Sequence, residues 1–240
     1  MSNNGSAILN SCANFARTLF TQDCLLCGAP AGLEPLCPPC RQDLPWHDAP
    51  SCPVCALPTS GGETCGACLK RAPAFSRTLA GFDYAFPLDA LLHDFKYGSR
   101  LDVLDVLAPP LARRVGLAPP PDMLVAMPLH PARLRQRGFN QSHELAKALS
   151  RLHGIPLATE ICLRVRDTTP QASLAWKERA GNIRGAFACH GNVSGKRIAV
   201  VDDVMTTGAS LDELARTLRR AGAADVEAWV VARTLEKHHF

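Results

Sequence analysis

Asp202 and Asp203 stand side by side at the end of an apolar run, Ile198 to Val201, and the turn Thr206, Thr207, Gly208, Ala209, Ser210 follows two residues later. Adjacent carboxylates are hydrogen-bond acceptors suited to a cis-diol or to a magnesium ion. The turn offers backbone N–H groups, hydroxyls and a glycine permitting close approach, all at the start of a helical pattern. Such a nest binds phosphate. Diol acceptors a few residues ahead of a phosphate cradle describe a site for a ribose 5-phosphate. Ser210 and Glu213 also have capping-box spacing, which accounts for part of the turn without a ligand but not for the two aspartates.

A second chemical stretch is HPARLRQRGFNQ, residues 130 to 141. Arg133, Arg135 and Arg137 alternate, so in an extended loop three guanidiniums would share one face and grip a pyrophosphate or a nucleic-acid backbone. The plain alternative is a solvated basic loop. A third stretch, residues 164 to 187, carries Arg164, Arg166, Lys177, Arg179 and Arg184. Its length suits a lid over a crevice, or an ordinary surface connection.

Eight of the eleven cysteines form four Cys-x-x-Cys pairs: Cys24/Cys27, Cys37/Cys40, Cys52/Cys55 and Cys65/Cys68. Nine residues separate the first pair from the second, and nine the third from the fourth, an internal duplication. Two such knuckles complete a tetrahedral four-sulfur site, so two structural zinc sites are expected. Equal gaps favour consecutive pairing of knuckles over an interleaved cross-brace. Glycines directly after Cys27 and Cys65 are expected to supply the positive φ of a knuckle turn. A redox reading would need one pair opening a helix in a βαβ unit, which four copies among prolines do not resemble. Cys12, Cys162 and Cys189 look isolated, and burial as small hydrophobes is their expected role.

The elements that must position these residues alternate in type. Residues 77 to 86 read as a strand, and 87 to 100 as a helix with Leu88, Leu91, Leu92 and Phe95 on one face. A second helix over 101 to 115 is expected to break at Pro109 and Pro110. A strand from Met123 to Met127 leads to His130, which precedes proline and should stay extended. Residues 139 to 154 form an amphipathic helix closed by Gly154. A strand near 155 to 164, a short helix near 174 to 183, a strand at Ile198 to Val201, a helix from Ser210 to about Ala221 and a final strand over 226 to 234 complete the series. This is an α/β pattern with a mainly parallel sheet, whose binding crevice lies at the carboxyl ends of the strands. A small double zinc-ribbon domain with four cysteines per metal, over 20 to 70, should precede the α/β domain over 75 to 240.

The 240 residues are 47% hydrophobic and 20% charged, an ordinary globular balance rather than a disordered one. The net charge of +4 is mildly basic, and residues 1 to 70 hold three Lys/Arg against five Asp/Glu, so the basic surface belongs to the remainder. No basic leader with an apolar core opens the sequence and no run of about 18 apolar residues occurs, so a cytoplasmic protein without membrane insertion is expected.

On these residues, VVDDVMTTGAS resembles the phosphoribosyl-pyrophosphate (PRPP) motif of type I phosphoribosyltransferases. PLHPARLRQRGFNQ and KERAGNIRGAF resemble the ComF family of competence proteins, and the four cysteine pairs resemble the double zinc ribbon that often precedes this domain. The resemblance covers about residues 20 to 235. It implies a type I phosphoribosyltransferase-like sheet flanked by helices, with Asp202 and Asp203 on the ribose hydroxyls. Val204, Met205 and the turn from Thr206 to Ser210 would complete the PRPP site, the turn holding the 5-phosphate. Leu129, His130 and Arg133 would approach the pyrophosphate with magnesium. Arg135, Arg137, Lys177 and Arg179 would serve pyrophosphate or nucleic acid. The N-terminal cysteine nucleophile of amidophosphoribosyltransferases has no counterpart, since Ser2 follows Met1. The implied role is PRPP-dependent phosphoribosyl transfer in natural competence and DNA uptake, with incoming single-stranded DNA and other competence proteins as partners. A non-catalytic module for single-stranded DNA and a PRPP-sensing regulator are the alternatives. Aromatic residues are 6% of the chain, few for a protein that stacks on single strands.

Overall fold

The computed structural model describes residues 22–98, 100–117, 119–166 and 183–235. Four parallel strands form the central sheet in the order β3 (Thr78–Asp83), β8 (Asp225–Arg233), β7 (Arg197–Met205), β4 (Met123–Ala126). Two small antiparallel ribbons accompany it, β1 (Gln22–Asp23) with β2 (Pro30–Gly32) and β5 (Cys162–Arg164) with β6 (Phe187–Cys189). Central strands β7 and β8 are buried along almost their whole length, which explains why their sequences read as continuous apolar runs.

Each face of this sheet has its own core. On one face α3 (Leu88–Tyr97), α4 (Leu104–Val115) and α6 (Gln141–His153) pack Leu91, Phe95, Leu107, Leu111, Leu145 and Leu149 against Val201, Trp229 and Val231. On the other, α7 (Ala209–Arg220) and the β5–β6 ribbon pack Leu211, Leu214, Leu218 and Phe187 against Ile198, Val200, Val226 and Val230. The cysteine-rich segment divides between them. Cys24 and Cys37 join the first core, whereas Cys52, Cys55 and Cys68 join the second. Between the two cysteine groups His47 is buried, its Nδ1 2.5 Å from Asp83 Oδ1 and its Nε2 3.2 Å from Ser51 Oγ.

Several expected elements differ in detail. Helix α4 runs through Pro109 and Pro110 rather than breaking there. Its buried face, Val106, Leu107, Pro110 and Leu111, lies over the sheet, and packing of that face outweighs the two lost backbone bonds. Strand β7 continues past Val201 to Met205, so the two aspartates lie inside the strand's carboxyl end rather than after it. Helix α7 takes Gly208 as N-cap with no side-chain cap, and Glu213 accepts the N–H of Gly185 at 2.9 Å, so Ser210 and Glu213 do not form a capping box. The short helix expected near 174 to 183 falls almost entirely outside the described residues.

Candidate functional site

The carboxyl edge of the sheet brings the two sequence motifs together. Strands β4 and β7 pair in register, Ala126 opposite Val201, and Met127 donates its N–H to the Val201 carbonyl at 2.9 Å. The segment from Leu129 to His130 therefore leaves the sheet beside the strand end that carries Asp202 and Asp203. His130 stays extended, as proline at 131 requires, and accepts the Ala132 N–H on Nδ1 at 3.4 Å as N-cap of α5 (Pro131–Arg137).

Asp202 Oδ1 accepts from the buried Ser142 hydroxyl and from the Asp203 N–H, each at 2.9 Å. Ser142 is held there by the start of α6. Asn140 caps that helix by accepting from the N–H groups of Ser142 and His143, and its own amide donates to the Met127 carbonyl at 3.1 Å. Asp203 is buried; its Oδ1 accepts the Val204 N–H at 2.8 Å and its Oδ2 lies 2.7 Å from the Lys96 ammonium. Lys96 sits in the last turn of α3, one position beyond the core residue Phe95.

Burial, reinforced by the neighbouring Asp203 charge, pushes the Asp202 carboxyl up to about 7. Burial acts the same way on Asp203, but the Lys96 charge outweighs it and holds that carboxyl below its usual range. Lys96 is in turn held above the usual ammonium value because Asp203 overcomes its own desolvation. One carboxylate of the pair is thus firmly ionised and the other is poised near neutrality.

Beyond Met205 the chain turns. Gly208 adopts φ +79°, and a Cβ there would come within 2.6 Å of Met205 Cε and 3.7 Å of Phe75 Cζ. Thr207 Oγ1 accepts from the Ala209 N–H at 3.2 Å. The carbonyls of Met205 and Thr206 are both taken by the guanidinium of Arg233, which also donates to the Cys55 carbonyl at 2.7 Å. Among the described residues the N–H groups of Thr206, Thr207 and Gly208 have no partner, which leaves three donors for an anion.

Other expected site residues are placed differently. Arg133, Arg135 and Arg137 lie on helix α5, not in an extended loop, so the 100° step per residue separates Arg135 from the other two. Arg137 donates to Gln141 Oε1 at 2.7 Å and lies 5.2 Å from the ring centre of Tyr97, while Arg135 is exposed. Lys177 and Arg179 lie outside the described residues. Sequence reasoning missed Lys96, Ser142 and Asn140. The signal for Asn140 was its place ahead of an amphipathic run. Lys96 offered only a cation at the border of an apolar stripe.

The cysteines gather as consecutive knuckles, Cys24, Cys27, Cys37, Cys40 in one cluster and Cys52, Cys55, Cys65, Cys68 in the other, with the sulfurs of each within 4.8 Å of one another. Cys27 and Cys37 sulfurs are 3.7 Å apart, and Cys55 and Cys65 sulfurs 3.6 Å. A tetrahedron with Zn–S bonds of about 2.3 Å has edges of roughly 3.8 Å, so the thiols fit zinc. Backbone N–H groups near Cys24 outweigh its burial and lower that thiol to about 6, ready for a metal. The first knuckle of each cluster ends in a positive-φ residue, Gly28 at 71° and Ala56 at 56°. The second starts a short helix, α1 (Pro38–Gln42) or α2 (Gly66–Lys70), with Cys37 or Cys65 as N-cap. Gly66 is thus a helical residue, and the strained position falls on Ala56. Four thiolates close each site, so bound zinc would shape the segment rather than do chemistry.

A parallel sheet with an acidic pair and a donor-rich turn at its carboxyl edge, behind two four-cysteine ribbons, defines a phosphoribosyltransferase-type protein with a double zinc ribbon. Family models agree: residues 15–69 match the double zinc ribbon domain and residues 143–239 the phosphoribosyl transferase domain. The chain is 36% identical over 221 residues to the DNA utilization protein YhgH of Escherichia coli (strain K12), covering 88% of this chain and 97% of that one. It is 31% identical to competence protein F of Haemophilus influenzae, covering 82% and 90%, and 26% identical to competence protein ComFC of Bacillus subtilis, covering 84% and 85%. The chain belongs to the family of these proteins, the ComF family. Similar solved structures include a glutamine PRPP amidotransferase from B. subtilis (21% identity, 57% of this chain and 30% of that one, TM-score 0.38) and a purine phosphoribosyltransferase from Pyrococcus horikoshii (20%, 55% and 82%, TM-score 0.34).

Proposed function

We propose that this chain binds magnesium-PRPP at the carboxyl edge of β7 and serves the handling of incoming DNA in the cytoplasm, alongside other competence proteins. The observation that carries the reading is the succession, within seven residues, of a half-buried carboxyl near neutrality, a buried ionised one and three backbone donors without a partner among the described residues. Asp202 and Asp203 would accept from the ribose hydroxyls, and the turn from Thr206 to Ser210 would hold the 5-phosphate. Lys96 would keep the acidic pair from repelling the ligand's phosphates. Magnesium would arrive with the pyrophosphate and neutralise it near Leu129, His130 and Arg133.

Phosphoribosyl transfer is the reaction such a site would serve, by charge neutralisation of the departing pyrophosphate and by positioning of an acceptor. The DNA role rests on what the relatives are called, DNA utilization and competence proteins. Titration of magnesium-PRPP into the zinc-loaded protein, with calorimetric detection, tests the binding reading. Saturable binding that is lost in Asp203→Asn is the expected result. A folded wild-type protein that takes up no PRPP overturns it and turns attention to single-stranded DNA as the ligand.

A further inference from the structure

Cys162 and Cys189 are far apart in sequence and belong to neither metal cluster, yet they face each other across the β5–β6 ribbon as direct register partners. The ladder fixes which kind of pair this is. His190 donates its N–H to Ile161 at 2.8 Å and Val165 donates to Ala186 at 2.8 Å. Residues 161 and 190, and 165 and 186, are therefore the hydrogen-bonded pairs. Since the two kinds alternate, 162 with 189 is a non-hydrogen-bonded pair, the kind in which opposed Cα atoms approach to about 4.5 Å with side chains on one face. That spacing lies inside the window a disulfide spans without backbone movement.

The chemistry of the two thiols is unequal. Cys162 is buried in the core over α7, and burial together with the adjacent Cys189 raises its thiol well above the ordinary value. Cys189 is partly exposed at the end of β6. The next pair on the same face, Arg164 over the Phe187 ring at 5.8 Å, keeps the ribbon's inner face packed. An oxidant would therefore meet Cys189 first and find Cys162 already opposite it.

We propose that Cys162 and Cys189 form a reversible dithiol/disulfide site that closes across the β5–β6 ribbon, with low-molecular-weight disulfides as co-reactant. The Cys189 thiolate attacks one sulfur of the small disulfide, forming a mixed disulfide and expelling one thiolate. The Cys162 sulfur then attacks Cys189 Sγ, forming the protein disulfide, expelling the second thiolate and giving up its proton. The protein dithiol is oxidised by two electrons and the small disulfide is reduced to two thiols. The bond would tie together the two stems of the stretch that runs from Val165 to Ala186, close to where Gly185 is anchored on Glu213 of α7. It would lift the melting temperature by roughly 5–10 °C.

The test incubates zinc-loaded full-length protein in glutathione buffers of rising oxidised fraction, quenches by alkylation and maps the peptides, with zinc content followed in parallel. The expected result is a linked peptide pair holding Cys162 and Cys189, lighter than its parts by two hydrogen atoms, reversed by reductant and formed while both zinc sites stay loaded. In Cys162→Ser a lasting glutathione adduct on Cys189 is expected. Separate alkylation of both cysteines up to the point of zinc loss, or a wild-type adduct on Cys189 that never resolves, overturns the proposal.

Discussion

Arg233, the last residue of β8, donates through Nε to the carbonyl of Cys55, a member of the second cysteine cluster, 2.7 Å away. The same guanidinium holds the Met205 and Thr206 carbonyls at the start of the phosphate-type turn. One buried cation thus ties a metal knuckle to the candidate anion site. Replacing it by methionine strands several buried carbonyls, which costs about 2–4 kcal/mol. Urea unfolding of zinc-loaded Arg233→Met should show that loss. PRPP affinity should fall as well, because the turn loses its anchor.

Lys96→Met leaves Asp203 as a buried carboxylate without its counter-charge, a loss of about 3–5 kcal/mol. In the wild type the Asp203 carboxyl is depressed, so its stabilisation is present at neutral pH and fades as pH falls through the folded value. In the variant the folded carboxyl is raised instead. Its instability should be greatest at pH 8 and shrink toward pH 5, as unfolding at the two pH values would show.

Asp202 titrates in the opposite sense to a salt-bridged acid. Its folded value of about 7 lies above that of an unfolded aspartate, so between about pH 4 and 7 the folded state holds the extra proton and stability declines as pH rises. Asp202→Asn removes that term. The difference in melting temperature between variant and wild type should therefore move in the variant's favour from pH 5 to pH 8, with the zinc thiolates cancelling between the two.

Gly208→Ala meets both a left-handed backbone and the methyl of Met205. A cost of about 1–2 kcal/mol is expected from the backbone alone. Under the proposed reading, affinity for ribose 5-phosphate should drop at least about tenfold, since 1.4 kcal/mol of lost contact suffices for that. Calorimetry on the folded variant measures it.

Much of this architecture was legible because it is written in periodicity. The apolar stripe of α3, the continuous burial of β7 and β8, Gly154 as a left-handed C-cap and the equal cysteine gaps all follow from local pattern. What escaped depended on contacts between distant segments. Pro109 and Pro110 are tolerated because the face around them is buried. The alternation of Arg133, Arg135 and Arg137 was read with the period of a strand although proline at 131 starts a helix. Lys96 reaches the aspartates, and Cys162 meets Cys189, only through tertiary placement that no spacing encodes.

The sheet order has a consequence for how the chain is made. Strand β3 pairs with β8, Thr78 opposite Ala228, so the first strand of the central sheet to leave the ribosome waits for the last. At about 5–20 residues per second the wait is on the order of 10–30 s. Through that interval the β8-facing edge of β3 has no strand partner, its other edge being held by residues 45–47, while the two cysteine clusters, local in sequence, can close on metal. Zinc supply at the moment of synthesis would then govern whether a nascent chain is met half-built or still sticky by its neighbours.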